Sequence, residues 1–152
     1  MKVEYECYPF VGTALISVYA AFKDEIQNAS LSMSQHDLVA WSTMITAWVQ
    51  NGCDKRARKT LAEFQSAPIF SIDDSILSSC LSACAGLASQ EMGKWFHACS
   101  FKTGFESYVH VASSIIDMHS KCGGIKDALK FFDGLNAKTV VSWTAMMSGY
   151  AH

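Results

Sequence analysis

Apolar residues recur every three or four positions along most of this chain, the spacing that lines one face of an α-helix. Trp41, Met44, Ile45 and Trp48 share such a face, which Asn51-Gly52 closes. A second stretch runs from about Asp54 through Ala57, Leu61 and Phe64 to a stop at Pro68. A third carries Ile76, Leu77, Cys80, Leu81 and Cys84 and ends near Gly86. A fourth starts from Ser89 as N-cap and takes Met92, Trp95, Phe96 and Cys99 to Thr103-Gly104. Val111, Ile115, Ile116 and Met118 mark a fifth that breaks at Gly123-Gly124. Ile125, Leu129 and Phe132 fall on one side of a sixth, and a seventh begins near Ser142. No stretch alternates strictly between apolar and polar as a half-buried strand would. The pattern predicts an all-α chain of helix, short turn, helix.

The pattern also repeats. "LVAWSTMITAWVQNG" from Leu38 and "VVSWTAMMSGYAH" from Val140 pair Val39 with Val141, Trp41 with Trp143 and Met44 with Met146. Ser42 with Thr144, Ile45 with Met147 and Trp48 with Tyr150 are near matches. Equivalent boundaries give units 38–73, 74–108 and 109–139, which are 36, 35 and 31 residues long. One helix pair cannot bury its apolar face alone, so stacked pairs make an α-solenoid. Constant 34-residue units would suggest tetratricopeptide repeats; this long-long-short alternation does not.

Composition narrows the picture further. Of 152 residues, 50% are hydrophobic and 17% charged, with a net charge of −2 and two prolines. That balance excludes a disordered tail and lacks the strong basicity of a phosphate-grasping domain. Nucleic-acid binding must therefore come from local arrangement. Six cysteines, Cys7, Cys53, Cys80, Cys84, Cys99 and Cys122, lie scattered within apolar helical patterns and read as reduced thiols. "FVGTALISVYA" from Phe10 imitates a signal-peptide core, but an acidic stretch precedes it and "VHVASSIIDMHS" reproduces its pattern in mid-chain. It is read as a repeat helix, and it is too short to span a membrane.

Nearly the whole chain resembles the pentatricopeptide repeat (PPR) proteins of plants, in the class that alternates P, L and S motifs. The two segments quoted above look like P-motif starts. "LSSCLSACAGLASQEMGKWFHACSFKTGF" looks like an L motif, and "VASSIIDMHSKCGGIKDALKFFDGL" like an S motif. "FVGTALISVYA" resembles an earlier S motif, giving the order S-P-L-S-P. The boundaries are a preceding L-like tail at 1–8, a shortened S-like repeat at 9–37, a P repeat at 38–73, an L repeat at 74–108, an S repeat at 109–139 and a truncated P repeat at 140–152. "FSID" makes the repeat at Leu38 one residue longer than the family pattern. The chain is expected to be a window on a longer array, with Trp143, Met146, Met147 and Tyr150 as an exposed apolar stripe that favours self-association.

The resemblance implies a right-handed α-solenoid of helix-turn-helix repeats, each addressing one base of single-stranded RNA. It further implies that a motif's fifth and last residues read the base edge while its second residue flanks the base. The first S motif then offers Thr13 and Asp37 with Phe10 as the wedge, and the P motif offers Ser42 and Asp73 with Val39. The L motif offers Ser78 and Tyr108 and is expected to read little. The second S motif offers Ser113 and Thr139 with His110, and the last motif offers Thr144 with Val141. The implied register is G-G-any-any-purine. Lys121, late on a first helix, is a candidate phosphate contact. Lys55, Arg56, Arg58 and Lys59 lie on a second helix and suit a solvated face.

Serines and threonines on helices are also commonly solvated or bonded to a backbone carbonyl. Cys80, Cys84, His97 and Cys99 could in principle surround zinc, but their spacing equally suits apolar packing, and no metal or other cofactor is expected. The histidine-x-glutamate and cysteine-x-x-cysteine signature of a zinc deaminase is absent, so the chain reads as a binding module and not an enzyme. Family relatives implicate organellar RNA processing or C-to-U editing, in mitochondrion or chloroplast. Editing cofactor proteins are implied as alternative partners, and a gene fragment without independent function is a third reading.

Overall fold

The computed structural model describes residues 35–50, 52, 54–65 and 72–152, and of 35–41, 63 and 64 the backbone alone. Expectations for residues 1–34, including the shortened repeat with Phe10 and Thr13, lie outside them. Seven α-helices and no strand occur among the described residues. The chain divides into two compact units, 1–67 and 68–152.

The first unit holds a helical hairpin, α1 (Gln35–Gln50) and α2 (Asp54–Phe64), joined through Gly52 at φ +71. Met44, Ile45 and Trp48 of α1 and Ala57 and Leu61 of α2 are buried. The Arg56 guanidinium lies 5.1 Å above the Trp48 ring and covers its outer face. Lys55, Arg58 and Lys59 are exposed, as the solvated-face reading expects.

The second unit contains α3 (Asp74–Gly86), α4 (Gln90–Thr103), a single 3-10 turn (Phe105–Ser107), α5 (Val109–Lys121), α6 (Ile125–Asp133) and α7 (Val140–Tyr150). Helices α3 and α4 form one hairpin and α5 and α6 the next. The first helices α3, α5 and α7 pack as consecutive neighbours, so this unit is built as stacked helix pairs, an α-solenoid. Two left-handed glycines fix the helix ends: Gly104 at φ +78 stops α4 and Gly123 at φ +81 stops α5, where any Cβ would be strained.

Burial explains why these helices dock. In α3, Ile76, Leu77, Cys80, Leu81, Cys84 and two alanines are buried, while Ser75 and Ser82 stay exposed. At the α5–α6–α7 junction Ile116, Ala128, Phe132 and Met146 form one cluster, flanked by Ile125, Phe131, Leu135 and Ala145.

Three local expectations are corrected. Ser89 occupies the N-cap position of α4, but its side chain makes no capping hydrogen bond and it is buried. Leu129 is 37% exposed; the core stripe of α6 is Ala128 and Phe132 with Ile125 beside them. Met146 is buried at 3%, so it leaves the expected exposed stripe, whereas Trp143, Met147 and Tyr150 remain exposed. Its place is taken by Val140 and Val141.

Candidate nucleic-acid interface

The first helices α3 and α5 each leave a polar stripe uncovered at helical spacing. On α3 it is Ser75, Ser78, Ser79 and Ser82, and on α5 it is His110, Ser113, Ser114, Asp117 and Lys121. On α7 the equivalent positions are Val141, Thr144, Ala145 and Ser148. The stripes of α3 and α5 touch directly. His110 Nε2 lies 2.7 Å from Asp74 Oδ2, and Ser78 Oγ lies 2.9 Å from Ser114 Oγ.

Every hydroxyl at a fifth motif position of this unit is engaged in a hydrogen bond. Ser113 donates to His110 O at 3.0 Å and Thr144 to Val140 O at 2.7 Å, leaving only oxygen lone pairs for a ligand. Ser114 Oγ also lies 2.8 Å from His110 O, and in the Ser78–Ser114 bond either hydroxyl can donate.

The last residues of the motifs sit at the N-caps of the following first helices. Asp73 caps α3 through its Oδ1, which accepts from Ile76 N at 2.8 Å. Tyr108 stands at the α5 cap position without a side-chain cap bond. Thr139 closes a reciprocal capping box with Ser142 at α7: its Oγ1 accepts from Ser142 N at 3.2 Å, and Ser142 Oγ accepts from Thr139 N at 2.9 Å. Fifth and last positions thus gather at the same end of the first-helix layer.

The remaining sequence candidates fall as follows. Val141 is 49% exposed and His110 is exposed, each beside a fifth-position residue on its helix. Ser42 on α1 is only 6% exposed. Asp37 and Val39 lie on α1, Asp37 in its first turn and not at a cap, and only their backbone is described. Lys121 is engaged by Asp117 one turn earlier at 3.0 Å, so a phosphate would compete with that carboxylate.

Sequence reasoning missed Asp74 and Ser114. Their signal was present as two polar pairs, Asp74/His110 and Ser78/Ser114, each 36 residues apart where the repeat is 35.

A cleft lies between α4 and α6. This cleft of about 650 Å3 is lined by Lys94, His97, Phe101, His119, Asp127 and Lys130, among others. His97 Nδ1 is 2.9 Å from His119 Nε2, and the Phe131 ring packs edge-on against His97 at 5.0 Å. His119 Nδ1 is buried without a hydrogen-bond partner. A bare lone pair is tolerated there better than an N–H, so we assign the shared proton to His119 Nε2.

Burial, reinforced by His119 and opposed by Asp127, lowers the His97 pKa from 6.5 to about 4. Burial also lowers that of His119, with Asp127 opposing and Lys94 reinforcing. Both rings are thus neutral when folded near pH 7, and the unfolded chain takes up their protons first. Stability is fully present above pH 6.5 and is lost as pH falls toward 4. Allowing for the solvent around His97, the loss is about 1–2 kcal/mol. Urea denaturation at pH 7 and pH 4.5 should show it, and it should shrink in His97→Gln.

Cys80, Cys84 and Cys99 are buried. Burial raises the Cys80 thiol well above its usual range, with Cys84 and Cys99 adding to the effect. Burial also lifts the Cys99 pKa to about 11, against the opposing Lys102 charge. These are packing thiols, and His97 hydrogen-bonds His119 instead of joining them.

Comparison with known proteins agrees with this repeat geometry. The family model described as PPR repeat matches residues 39–69, 111–138 and 141–152. A pentatricopeptide repeat-containing protein of Arabidopsis thaliana is 35% identical over 153 residues, covering 99% of this chain and 19% of that relative. Another from Arabidopsis thaliana is 38% identical over 91% of this chain and 20% of its own length. A third, whose name marks it as mitochondrial, is 39% identical over 93% of this chain and 14% of its own. The chain spans about a fifth or less of the length of these relatives.

Proposed function

The chain belongs to the pentatricopeptide repeat family, and from that premise we propose that the uncovered face of its first helices binds single-stranded RNA. One observation carries this reading above the others. The repeat-equivalent hydroxyls of Ser78, Ser113 and Thr144 fall at intervals of 35 and 31 residues, on three helices that pack as consecutive neighbours. A strand laid across that layer meets one such group per helix. Val141 and His110 flank the base faces, and the cap residues Asp73, Tyr108 and Thr139 stand at the same end of the layer. By the family pattern Thr13, Asp37 and Ser42 are further readers, with Phe10 and Val39 as flanking residues, in the register G-G-any-any-purine, although Ser42 is buried within its own helical hairpin. Lys121 supplies the backbone contact by exchanging Asp117 for a phosphate.

In this reading the chain serves as the addressing part of an organellar RNA-processing or C-to-U editing factor in mitochondrion or chloroplast. The mitochondrial label on one relative supports an organellar setting. A second reading, a scaffold for editing cofactor proteins, is favoured by the exposed Val140, Trp143, Met147 and Tyr150 on α7. The same residues offer a surface for self-association.

Fluorescence anisotropy with short RNAs tests the first reading. G-G-N-N-purine should bind about tenfold tighter than its all-pyrimidine counterpart, with affinity falling as salt rises. Thr144→Ala should remove the purine preference at the fifth step only. Equal or absent binding by a folded, helical chain would overturn the proposal.

A further inference from the structure

Helices α4 and α6 are the second helices of successive repeats, and both pack on α5 with the cleft between them. None of the stripe residues of α3 or α5 lines that cleft. Its volume of about 650 Å3 suits a cofactor-sized molecule and is more than a bare anion fills. Four charged groups line it: Lys94 from α4, Glu106 from the 3-10 turn, and Asp127 and Lys130 from α6. Among the described residues the ion pairs are Asp74–His110 and Asp117–Lys121, so none of the four is paired with another. Phe101 stands on the α4 wall with 71% of its surface in solvent, far more than helix packing requires. His119 lines the same cleft at 4% exposure, yet its Nδ1 has no partner. A buried polar atom left unsatisfied in a cleft with unpaired charges is a mark of a binding site.

We propose that this cleft binds a nucleoside phosphate, with Lys94 and Lys130 on the phosphate and Phe101 against the base. The site is separate from the first-helix face and does not rest on the RNA-binding reading. Charge selects the ligand class. Lys94 and Lys130 belong to the two walls, and their ammonium groups share one phosphate between them. Both imidazoles are neutral near pH 7, so the positive charge of the cleft is that of the lysines alone. A purely anionic ligand would be repelled by Asp127 and Glu106. Those carboxylates are acceptors, and they suit the hydroxyls of a ribose and the amino group of a base. Phe101 already faces solvent, so a base laid on its ring removes apolar surface from water at no packing cost. A ribose hydroxyl or a water entering beside His119 would supply the partner that Nδ1 lacks. A bound ligand also ties α4 to α6 and so stiffens the junction between two repeats.

Isothermal titration calorimetry of the whole chain tests this with adenosine monophosphate and uridine monophosphate against adenosine and inorganic phosphate. Each nucleotide should bind at least about tenfold tighter than either part alone, because only it reaches both the lysines and the ring. Lys94→Gln and Lys130→Gln should each weaken it by about fivefold, and Phe101→Ala by about as much. All three side chains are exposed, so the variants should keep the wild-type circular dichroism and Tm. The ring protons of His97 and His119 should shift in NMR spectra on adding nucleotide, which places the ligand in this cleft. Thr144→Ala, on the first-helix face, should leave nucleotide affinity unchanged, so this site and the RNA reading stand or fall separately. Inorganic phosphate binding as tightly as the nucleotide would reduce the cleft to an anion site, and adenosine doing so would reduce it to an apolar patch. Either result overturns the proposal, as does the absence of heat at millimolar nucleotide or affinity unchanged in the double lysine variant. A 5′-phosphorylated dinucleotide then distinguishes the source: binding equal to the mononucleotide identifies an RNA end, and much weaker binding identifies a free nucleotide.

Discussion

Phe132→Ala is expected to destabilise the 68–152 unit by about 3–5 kcal/mol, the usual cost of emptying a buried aromatic site. Helix α6 has nine residues, too few to persist without tertiary packing. Its buried residues are Ala128 and Phe132 alone, so the phenyl ring provides most of its anchorage. The ring sits with Ile116 of α5 and Met146 of α7, meets the Trp143 ring at 4.7 Å, and lies 5.5 Å from Lys138 Nζ. Truncation leaves a cavity where three helices meet, with only the partly buried Ile125 and Phe131 of α6 beside it. Urea denaturation followed by circular dichroism would measure the loss. Tryptophan emission should shift to the red as Trp143 loses its aromatic neighbour. The effect reaches function because the same cluster seats α7, which carries Thr144: purine preference at the fifth step should weaken although no RNA-facing atom has changed. A loss below about 1 kcal/mol would mean that α6 is not held through Phe132.

The helices were legible because their ends are written in chemistry that acts locally. Gly104 and Gly123 adopt left-handed φ values that β-carbons resist, and helices stop there regardless of what surrounds them. Which side of a helix faces the core is less local. Leu129 looked like a core residue since it lies one turn from Ile125, yet Ala128 is buried in its place. Alanine contributes little to a periodicity signal, and only the close packing of α6 on its neighbours selects it. Met146 and Met147 pose the same problem. Two adjacent methionines point about 100° apart, and the Ile116–Phe132 cluster decides that Met146 goes inward.

The candidate interface was legible in its spacing and opaque in its bonding. Repeat counting placed Ser78, Ser113 and Thr144 on equivalent turns of neighbouring helices. It could not show that Ser78 is bonded across the junction while the other two bond back to their own helices. That difference depends on one atom of the adjoining repeat, the Ser114 hydroxyl, where α7 has Ala145. The His97–His119 pair was hidden for a related reason. His119 belongs to the late turns of a first helix and His97 to the second helix of the preceding repeat, 22 residues earlier, so no single-helix pattern joins them.

Gly149→Ala should destabilise the same unit by about 1–3 kcal/mol, against the ordinary gain of about 1 kcal/mol for replacing glycine by alanine in a helix. The sign reverses because α7 meets α5 at this point. A Cβ on Gly149 would overlap Ser120 Oγ and come within 2.9 Å of Ser120 Cβ, with Ile125 Cδ1 at 3.3 Å. A flexible side-chain end could swing away, and Ile125 can; the Ser120 Cβ is fixed to the α5 backbone. Ser120 is itself buried and its hydroxyl is tied to Ile116 O at 2.8 Å. Relief therefore requires the two helix axes to separate by several tenths of an ångström, which loosens Met146 in the shared cluster. Gly93 makes a useful contrast. A Cβ there would meet the thioether of Met118, an adaptable chain that can move aside, so Gly93→Ala should be tolerated better. The decisive comparison is a cycle with Ser120→Gly, which removes both clashing Ser120 atoms and has its own helix-propensity cost. In that background Gly149→Ala should turn neutral or stabilising, a coupling read directly from urea midpoints at constant m. If Gly149→Ala stabilises the chain with Ser120 intact, the first helices stand further apart than this close approach requires, and the face they form is correspondingly wider.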